Sequence, residues 1–586
     1  MYFPKYNTFR VLIPLLKAYG IRNIVISPGS RMREFVLAVE EDPFFTTYDV
    51  TDERSASYFA LGLSQQLQEP VVITCTSSTA TTNYTPGVTE AFYQNVPIVV
   101  LTGDRDPIML GQQEDQMIDQ VGMYDRVMRK SVSLPIIKDE ADSWYCQRLI
   151  CEALLELNHH KTGPVHINVP VPAVINWDDN DDISKYPAVK VIKRYDFSGK
   201  YTDELNDKVH QLCSAKRILV LAGQNFKPLD NRLFDEFFNK YNCVIHAEHM
   251  GNVESVGKLN LNPISDQFSN STLDEFMPDI VISLNGTLAI TRTLKEGLRK
   301  RKVQHWLVDE DGAVVDAYKN LTTIFEGSAE DFLRYFIDNA PKESQNDRIY
   351  YNMWADICDK AYLPELPMSH FYTIQQLIKN LPCDCILDLS ILNSIRISQF
   401  FELPKGTKVY ANIGTDGIDG CLSSFFGQSV ATEKECFMLI GDLSFFYDMS
   451  SLRIKHIRKN CHICLINNHG GNEFYIQPLM PTTPQGLGAS HTNNAKDWAQ
   501  SVGFTYLSAS TKDDVNAVMK EFVKPQAIAP VLLEVFTDQM TDRETTLQLR
   551  SLYHSYSDKM ASTKQALKNI LGDKTVNSIR SFLGKK

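Results

Sequence analysis

Short apolar runs rich in β-branched residues alternate with stretches of helical periodicity along most of this chain, and this alternation restricts the fold more than any other feature. In the first third of the chain a turn and a helical pattern follow each predicted strand. These strands are Asn23–Ile26, Thr46–Val50, Val71–Thr74 and Pro97–Leu101. The pattern is typical of βα units around a parallel sheet, so we predict an α/β fold with functional residues at the carboxyl ends of strands.

The same alternation continues in two further units. Their predicted strands are Arg217–Ala222, Cys243–Ala247, Ile280–Leu284, His305–Val308, Ile386–Leu389, Lys408–Ala411, Cys436–Ile440, His462–Ile466 and Pro530–Val535. An acidic stretch with few core residues, Asn176–Tyr186, is typical of a linker. We therefore predict three doubly wound parallel-sheet domains, over residues 1–180, 187–345 and 348–542, and a basic helical tail over residues 543–586.

Composition excludes several classes of function. A formal charge of −12 over 586 residues argues against a nucleic-acid binder, which needs clustered Lys and Arg, so small-molecule chemistry is the better expectation. No apolar run is long enough for a bilayer span, and the first residues lack the pattern of a secretory signal, so we expect a cytoplasmic protein. The 12 scattered cysteines suggest reduced, buried thiols. Cys461 and Cys464 have the spacing of half a zinc site, but a core strand is the favoured interpretation.

The most specific chemical motif is split between two strand ends of the third unit. Gly441-Asp442-Leu443-Ser444 follows one apolar strand, and Asn467-Asn468-His469-Gly470-Gly471 follows the next, with Asn468 lying 26 residues after Asp442. Asp442, Asn468 and a backbone carbonyl, assigned here to Gly470, are hard oxygen ligands suited to Mg²⁺. The paired glycines and a helix start near Ser444 let phosphate oxygens approach closely. A lone Gly-Asp turn is common, but the linked pair predicts a clamp for a diphosphate and Mg²⁺.

This split motif resembles that of thiamine-diphosphate enzymes, with Leu443 in place of the usual third glycine. In that superfamily a glutamate bonds to the aminopyrimidine ring of the cofactor. The matching residue here is Glu53, at the switch from the strand Thr46–Val50 to a helical segment. A carboxyl in that role must be partly desolvated, which raises its pKa. The alternative is an ordinary acid at a helix N-terminus.

The order and spacing of several further motifs resemble one family, 2-succinyl-5-enolpyruvyl-6-hydroxy-3-cyclohexene-1-carboxylate (SEPHCHC) synthase of menaquinone biosynthesis. The resemblance covers nearly the whole chain to about residue 540. The motifs are Ser27-Pro28-Gly29-Ser30-Arg31, Asp52-Glu53-Arg54, Thr76-Ser77-Ser78-Thr79-Ala80, Thr102-Gly103-Asp104-Arg105, Gln116, and Asn412 to Gly420.

The resemblance implies a thiamine-diphosphate- and Mg²⁺-dependent enzyme that decarboxylates 2-oxoglutarate and joins the product to isochorismate. It implies Glu53 as the catalytic acid and Asp442, Asn468 and Gly470 as metal ligands. Cofactor-binding residues would be Ser394, Asn412, Gly417, Ile418, Gly441, Asp442, Leu443, Ser444, Asn468, Gly470 and Gly471. Substrate-binding residues would be Arg31, Ser78, Arg105, Gln116 and Arg292. Two further substrate-binding candidates do not follow the family pattern: Arg396, and Glu473, which stands where the family usually has an apolar residue and is otherwise an outward-facing surface acid. Ile418 would hold the cofactor in its bent form.

Three positions depart from the family pattern, because Thr291, Ser398 and Ile413 stand where the family has cations. Arginine is suited to anionic substrates because its fork binds carboxylates bidentately. Arg396 lies two residues from Ser398 and is a candidate replacement. The true donor and acceptor therefore stay open at this point. One alternative is a related decarboxylase or carboligase for a less anionic substrate, and another is a non-catalytic binding module.

Three further expectations concern assembly and partners. In the resembled family the domain with the glutamate faces the diphosphate domain of a second chain, so we predict at least a homodimer and allow a homotetramer. No nucleic-acid partner is expected. The basic tail has partial apolar faces, so it is either a weak membrane or partner contact or an ordinary terminal helix.

Overall fold

The computed structural model describes residues 2–172, 185–192, 203–284, 286–341, 346–473, 485–525 and 528–551. Its strands form three sheets in which every pairing between strands is parallel. This confirms the α/β class and the three doubly wound sheets predicted from the sequence. Most of the predicted linker and all of residues 552–586 of the predicted tail lie outside the described residues.

The first sheet has the strand order β2-β1-β3-β4-β6-β5. Its strands are β1 (Asn23–Ile26), β2 (Thr46–Asp49), β3 (Val71–Cys75), β4 (Ile98–Asp104), β5 (Lys130–Ser133) and β6 (Val165–Pro170). The helices of this part are α1 (Asn7–Ala18), α2 (Arg33–Glu41), α3 (Glu53–Leu67), α4 (Thr79–Asn83), α5 (Thr85–Tyr93) and α6 (Glu140–Leu155).

The central sheet has the order β11-β10-β9-β7-β8. Its strands are β7 (Ile218–Ala222), β8 (Val244–Ala247), β9 (Ile280–Leu284), β10 (Gln304–Asp309) and β11 (Leu321–Glu326). The surrounding helices are α7 (Asp203–Ser214), α8 (Asn231–Tyr241), α9 (Asn262–Ser265), α10 (Asn270–Phe276), α11 (Arg292–Arg299), α12 (Ala329–Asp338) and α13 (Ile349–Cys358).

The third sheet has the order β13-β12-β14-β15-β17-β16. Its strands are β12 (Ile386–Leu389), β13 (Lys408–Tyr410), β14 (Cys436–Gly441), β15 (Cys461–Asn467), β16 (Thr505–Ala509) and β17 (Val531–Phe536). Its helices are α14 (His370–Asn380), α15 (Asn393–Ser398), α16 (Cys421–Val430), α17 (Asp442–Tyr447), α18 (Gln485–Gly488), α19 (Lys496–Ser501), α20 (Lys512–Phe522) and α21 (Gln539–Ser551). Residue 542, where the sequence predicts the third domain to end, lies in the first turn of α21.

Buried apolar strands account for the sheets. The central strands β14 and β15 are almost fully buried, as expected of parallel strands covered by helices on both faces. Cys461 and Cys464 lie fully buried in β15, and no group of three or more potential metal-ligating His, Cys, Asp or Glu residues occurs in the described part of the chain. The core-strand interpretation of these two cysteines therefore fits the structure. No helix among the described residues is both long and apolar enough to cross a bilayer.

The first and third domains share one hydrophobic core through the packing of α3 against α16. Two glycines make this close approach feasible. A Cβ at Gly62 would lie 1.9 Å from the carbonyl oxygen of Ser424, and one at Gly427 would lie 2.0 Å from that of Phe59. Since α3 begins at Glu53 and α16 follows the loop with Ile418, this contact fixes the positions of two predicted functional elements relative to each other.

Candidate active site

A cavity opens at the carboxyl edge of the third sheet, where β12, β14 and β15 end. Most residues predicted to bind the cofactor or metal lie on its wall. They are Ser394, Ile418, Gly441, Asp442, Leu443, Ser444, Asn468, Gly470 and Gly471, and Glu473 joins them. The structure therefore brings together two motifs that are separated in the sequence.

Asp442 is the only carboxylate of the split motif, and it organises the loop after β15. Its Oδ2 accepts hydrogen bonds from the backbone N–H groups of Asn468 (3.1 Å) and Gly470 (3.0 Å), and its Oδ1 accepts one from Leu443 (2.7 Å). Burial raises the pKa of this carboxyl, while His491 and the three N–H donors oppose the shift. His491 Nε2 lies 3.3 Å from Oδ2. The three predicted metal-ligating residues thus surround one point.

Asn468 is held in place by a residue far along the chain. Its Nδ2 donates to Oδ2 of Asp542 (3.0 Å), a fully buried carboxylate in α21. Asp542 also accepts from the backbone N–H of His370 (2.7 Å) and from Oγ1 of Thr537 (2.8 Å). Because the amide nitrogen of Asn468 is used in this contact, its oxygen is the atom left for a metal. Sequence reasoning missed this role of Asp542.

Gly470 has a backbone conformation that other residues rarely adopt. Its φ is +153°, and a Cβ there would lie 2.7 Å from the carbonyl oxygen of Gly488. The N–H of Gly471 donates to that same oxygen (2.7 Å). The motif after β15 therefore needs its glycines for the backbone conformation, in addition to the close approach of phosphate oxygens that they were expected to allow.

The cavity has the chemistry that a diphosphate and a divalent metal require. Asn472 lines it and is 4% exposed, yet neither polar atom of its side chain has a partner among the described residues. A Cβ at Gly441 would meet no atom within 4 Å, so the space above this residue is open. Ile418 and Leu443 add an apolar wall. Unpaired polar atoms, open space and oxygen ligands together fit thiamine diphosphate with its metal.

Two predicted cofactor residues do not line this cavity. Asn412 is buried and donates to Oγ of Ser424 (3.0 Å), and Gly417 lies in the loop before α16. That loop is held from the first domain, because the buried carboxylate of Glu90 accepts from the N–H groups of Gly414 (2.9 Å) and Thr415 (2.6 Å). Glu90 is another positioning residue that the motifs do not reveal.

The predicted cations of the central and third domains lie beside the cavity. Arg396, at the end of α15, forms an ion pair with Glu473. Arg292 is the first residue of α11, and its charge acts on Asp416 together with that of Arg396. Burial raises the pKa of Asp416, and the two arginines lower it. The predicted substrate-binding residues Arg292, Arg396 and Glu473 therefore form one charged cluster.

Glu53 begins α3, but it does not cap this helix. Asp52 does so, accepting from the N–H groups of Arg54 (3.1 Å) and Ser55 (3.3 Å). Burial is the main cause of the raised pKa of Cys75 and Tyr84, and the charge of Glu53 adds to both shifts. Glu53 is thus an additional acid at this helix start, and its charge acts on buried groups of the first domain.

The remaining predicted substrate residues lie in loops at the carboxyl edge of the first sheet. Ser78 has a φ of +74°, and its N–H donates to Oε1 of the buried Gln120 (2.8 Å). The backbone oxygen of Gln116 accepts from Ser77 (2.8 Å). Gln120 also donates to the oxygen of Gly103 (3.1 Å), so it links the loops after β3 and β4. The spacing of motifs gave no indication of this residue.

The two arginines of this edge differ in their partners. Arg105 is neutralised by Glu114 (2.7 Å) and Asp115 (2.5 Å), whereas Arg31 donates to Oγ of Ser30 (3.1 Å). Among the described residues, Glu53, Arg31 and Arg105 do not line the cavity at Asp442. One chain therefore presents two separate groups of predicted functional residues.

Comparison with known proteins gives matches that span both groups. The family described as "Thiamine pyrophosphate enzyme, N-terminal TPP binding domain" matches residues 6–123, which include Glu53. The 2-succinyl-5-enolpyruvyl-6-hydroxy-3-cyclohexene-1-carboxylate synthase of Bacteroides thetaiotaomicron is 36% identical over 95% of this chain and 100% of its own length.

Two further synthases of the same name show similar coverage. That of Phocaeicola vulgatus is 36% identical over 95% of this chain and 100% of its own length. That of Flavobacterium psychrophilum is 32% identical over 92% and 97%, respectively. The similarity thus includes the Glu53 domain, the central domain and the cavity at Asp442. The chain belongs to the family of SEPHCHC synthases, which are thiamine-diphosphate-dependent enzymes.

Proposed function

We propose that this enzyme decarboxylates 2-oxoglutarate and joins the resulting four-carbon unit to isochorismate, with Mg²⁺ as the metal. The observation that supports this most directly is the cavity in which Asp442, Asn468 and Gly470 meet beside the cluster of Arg292, Arg396 and Glu473. The product named for the relatives contains succinyl, enolpyruvyl and carboxylate groups. A site for such an anionic product needs cations near the cofactor, and the cluster provides them.

The described residues divide the work of holding the cofactor. Asp442, Asn468 and the carbonyl of Gly470 would bind Mg²⁺, and the unpaired amide of Asn472 would bond to diphosphate oxygens. Ile418 and Leu443 would hold the apolar part of the cofactor and exclude water. When bound, thiamine diphosphate accepts the electron pair released as CO₂ leaves the 2-oxo acid.

We propose that each working site combines two chains. Glu53 does not line the cavity at Asp442 of its own chain, so a second copy would supply the acid that bonds to the aminopyrimidine ring and holds a proton there. The enzyme is then at least a homodimer with two equivalent sites. Light scattering that finds an active monomer would contradict this arrangement.

Mixing of inactive variants gives a sharper test of the shared site. Glu53→Gln and Asp442→Ala should each be inactive alone, but a mixed dimer keeps one site with both native residues. Random mixing in equal amounts after reversible dissociation should therefore restore about one quarter of wild-type activity. A mixture of two batches of Glu53→Gln is the matched control. Recovery that does not exceed this control would contradict a site shared between chains.

The reaction itself is tested by following CO₂ release from 2-oxoglutarate with and without isochorismate. We expect release only with cofactor and Mg²⁺, and a product with the mass of the joined species when isochorismate is present. A panel of other 2-oxo acids serves as the control for donor identity. No CO₂ from 2-oxoglutarate would overturn the proposed donor, and release without a joined product would overturn the proposed acceptor.

A further inference from the structure

The three uncharged residues at family cation positions are buried in the core. Thr291 and Ser398 are 0% exposed and Ile413 is 4% exposed. Thr291 Oγ1 lies between Oε1 of Glu248 (2.8 Å) and Nε2 of His246 (3.0 Å), and Ser398 donates to the oxygen of Ile395 (3.1 Å). These positions do not offer a polar group to the cavity. Any replacement for the family cations must therefore come from other positions.

Helix α21 brings another arginine to this region. Asp542, Thr546 and Arg550 are spaced at four-residue intervals and share one face of the helix. Asp542 contacts Asn468 and His370, and Oγ1 of Thr546 lies 3.0 Å from Nε2 of His370. Arg550 lies two turns beyond Asp542, about 12 Å along the helix axis. The helix is thus anchored beside Asn468 and His370, and Arg550 lies further along it.

The charges around Arg550 are those of the cluster beside the cavity. Partial desolvation lowers the pKa of its guanidinium, Arg396 and Arg292 lower it further, and Glu473 and Asp266 oppose the shift. Arg550 is exposed, so solvent and ligands reach it. Among the described residues, neither Arg292 nor Arg550 forms a side-chain ion pair or hydrogen bond, whereas Arg396 pairs with Glu473. Two cations without an ion-pair partner among the described residues therefore interact electrostatically with each other, and one of them also interacts with Glu473, which lines the cofactor cavity.

We infer that Arg550 is a substrate-binding residue that, together with Arg292, receives the distal carboxylate of a dicarboxylic 2-oxo acid. The inference rests on the proposed function, since it places the donor at the cavity of Asp442. Two like charges lying close together are relieved when an anion binds between them, and arginine binds carboxylates bidentately. The last helix of the described chain is then part of the specificity site, and it provides a cation that the buried Thr291, Ser398 and Ile413 do not.

The test compares two donors that differ only at the distal end, 2-oxoglutarate and 2-oxopentanoate, in which a methyl group replaces the carboxylate. In the full-length holoenzyme, Arg550→Gln should raise KM for 2-oxoglutarate about 10- to 100-fold and change KM for 2-oxopentanoate less than about twofold. Arg550→Lys should recover part of the loss. Arg334→Gln, an exposed arginine on α12, is the matched control and should change neither value.

A binding measurement separates this inference from the proposed function. Calorimetry of the holoenzyme should show that glutarate binds more tightly than pentanoate, and that Arg550→Gln removes most of this preference without changing the affinity for thiamine diphosphate. The role of Arg550 would be overturned if Arg550→Gln raised KM equally for 2-oxoglutarate and 2-oxopentanoate, or left KM for 2-oxoglutarate unchanged. Equal binding of glutarate and pentanoate by the wild type would also overturn it. Absence of CO₂ release by a wild type that still prefers glutarate would overturn the proposed reaction alone.

Discussion

The first and third domains have the same strand order but place their functional residues on different strands. Counted within each sheet, both run 2-1-3-4-6-5. In the first domain Glu53 follows the second strand, whereas in the third Asp442 follows the third strand and Asn468 the fourth. One scaffold therefore presents two different sets of candidate functional residues. The loops at the carboxyl edge, rather than the sheet, decide which group a domain presents.

The edges of the first and third sheets also differ in how the nearby cations are paired. At the edge of the first sheet Arg105 is paired with two carboxylates of its own loop. Beside the third sheet, Arg292 and Arg550 have no such partner among the described residues. Arg105 is therefore neutralised within its own loop, whereas Arg292 and Arg550 form no ion pair among the described residues. The following variants test this division between the two domains, from the largest expected effect to the smallest.

Asp442→Asn should abolish the binding of cofactor and metal at the cavity of the third domain. The change removes the only carboxylate of the split motif, which accepts from the N–H groups of Asn468 and Gly470 at the proposed metal site. Even changes behind a ligand cost about 10- to 100-fold in metal affinity, so loss of the ligand itself should exceed about 100-fold. Calorimetry with thiamine diphosphate and Mg²⁺ measures this. Wild-type affinity in this variant would refute the assignment of the metal site.

Glu53→Gln, in the first domain, should reduce turnover but leave cofactor binding unchanged. The variant should bind cofactor and Mg²⁺ as the wild type does, while turnover falls about 10²- to 10⁴-fold because a proton-transfer group is lost. Exchange of the C2 proton of bound thiamine diphosphate, followed by NMR, should fall in parallel. Glu69→Gln, an exposed glutamate of the same domain, is the control. Wild-type exchange would show that Glu53 has no catalytic role.

Asp542→Asn should have an intermediate effect. The new amide would place a donor against Asn468, Thr537 or His370, all of which donate to this residue. We expect Mg²⁺ affinity to fall about 10- to 100-fold, as for other residues that orient metal ligands. The control is Glu544→Gln, exposed on the same helix. If Mg²⁺ affinity is unchanged, Asn468 does not depend on α21 for its orientation.

Gly62→Ala should have the smallest effect, on stability. Alanine usually stabilises a helix relative to glycine, but here its Cβ would meet the carbonyl oxygen of Ser424. We expect the free energy of unfolding to fall by about 1–3 kcal/mol, seen as a lower midpoint in urea. Gly327→Ala, where a Cβ meets no atom within 4 Å, is the control. A stabilised Gly62→Ala would mean that α3 and α16 pack less closely than described.

Periodicity was sufficient to predict the strands with continuous apolar runs. The strands it missed are β5, β6, β11 and β16. Three of these, β5, β11 and β16, lie at sheet edges and are only partly buried, so polar residues interrupt their pattern. The internal strand β6 is fully buried, but it contains His166 and Asn168. Nε2 of His166 contacts Oγ1 of Thr102, and Nδ2 of Asn168 donates to Oδ2 of Asp104, and only the folded chain brings these partners of β4 close.

The candidate site was also predicted only where its residues belong to a local sequence pattern. The motifs predicted Asp442, Asn468, Gly470 and their neighbours on one wall because these residues follow adjacent strands. They did not predict Gln120, Glu90 or Asp542, whose roles depend on contacts made after long separations in the chain. Residues that touch a ligand belong to local patterns, whereas residues that hold them in place come from anywhere in the fold.

The contact between Asn468 and Asp542 has a consequence for how the enzyme is made. These residues are 74 positions apart, and the carboxylate comes from the last described helix. During translation the motif that contains Asn468 leaves the ribosome well before the helix that supports it. A nascent chain should therefore be unable to retain its vitamin-derived cofactor until synthesis is nearly finished, and truncated products should compete poorly for a scarce cellular pool of it.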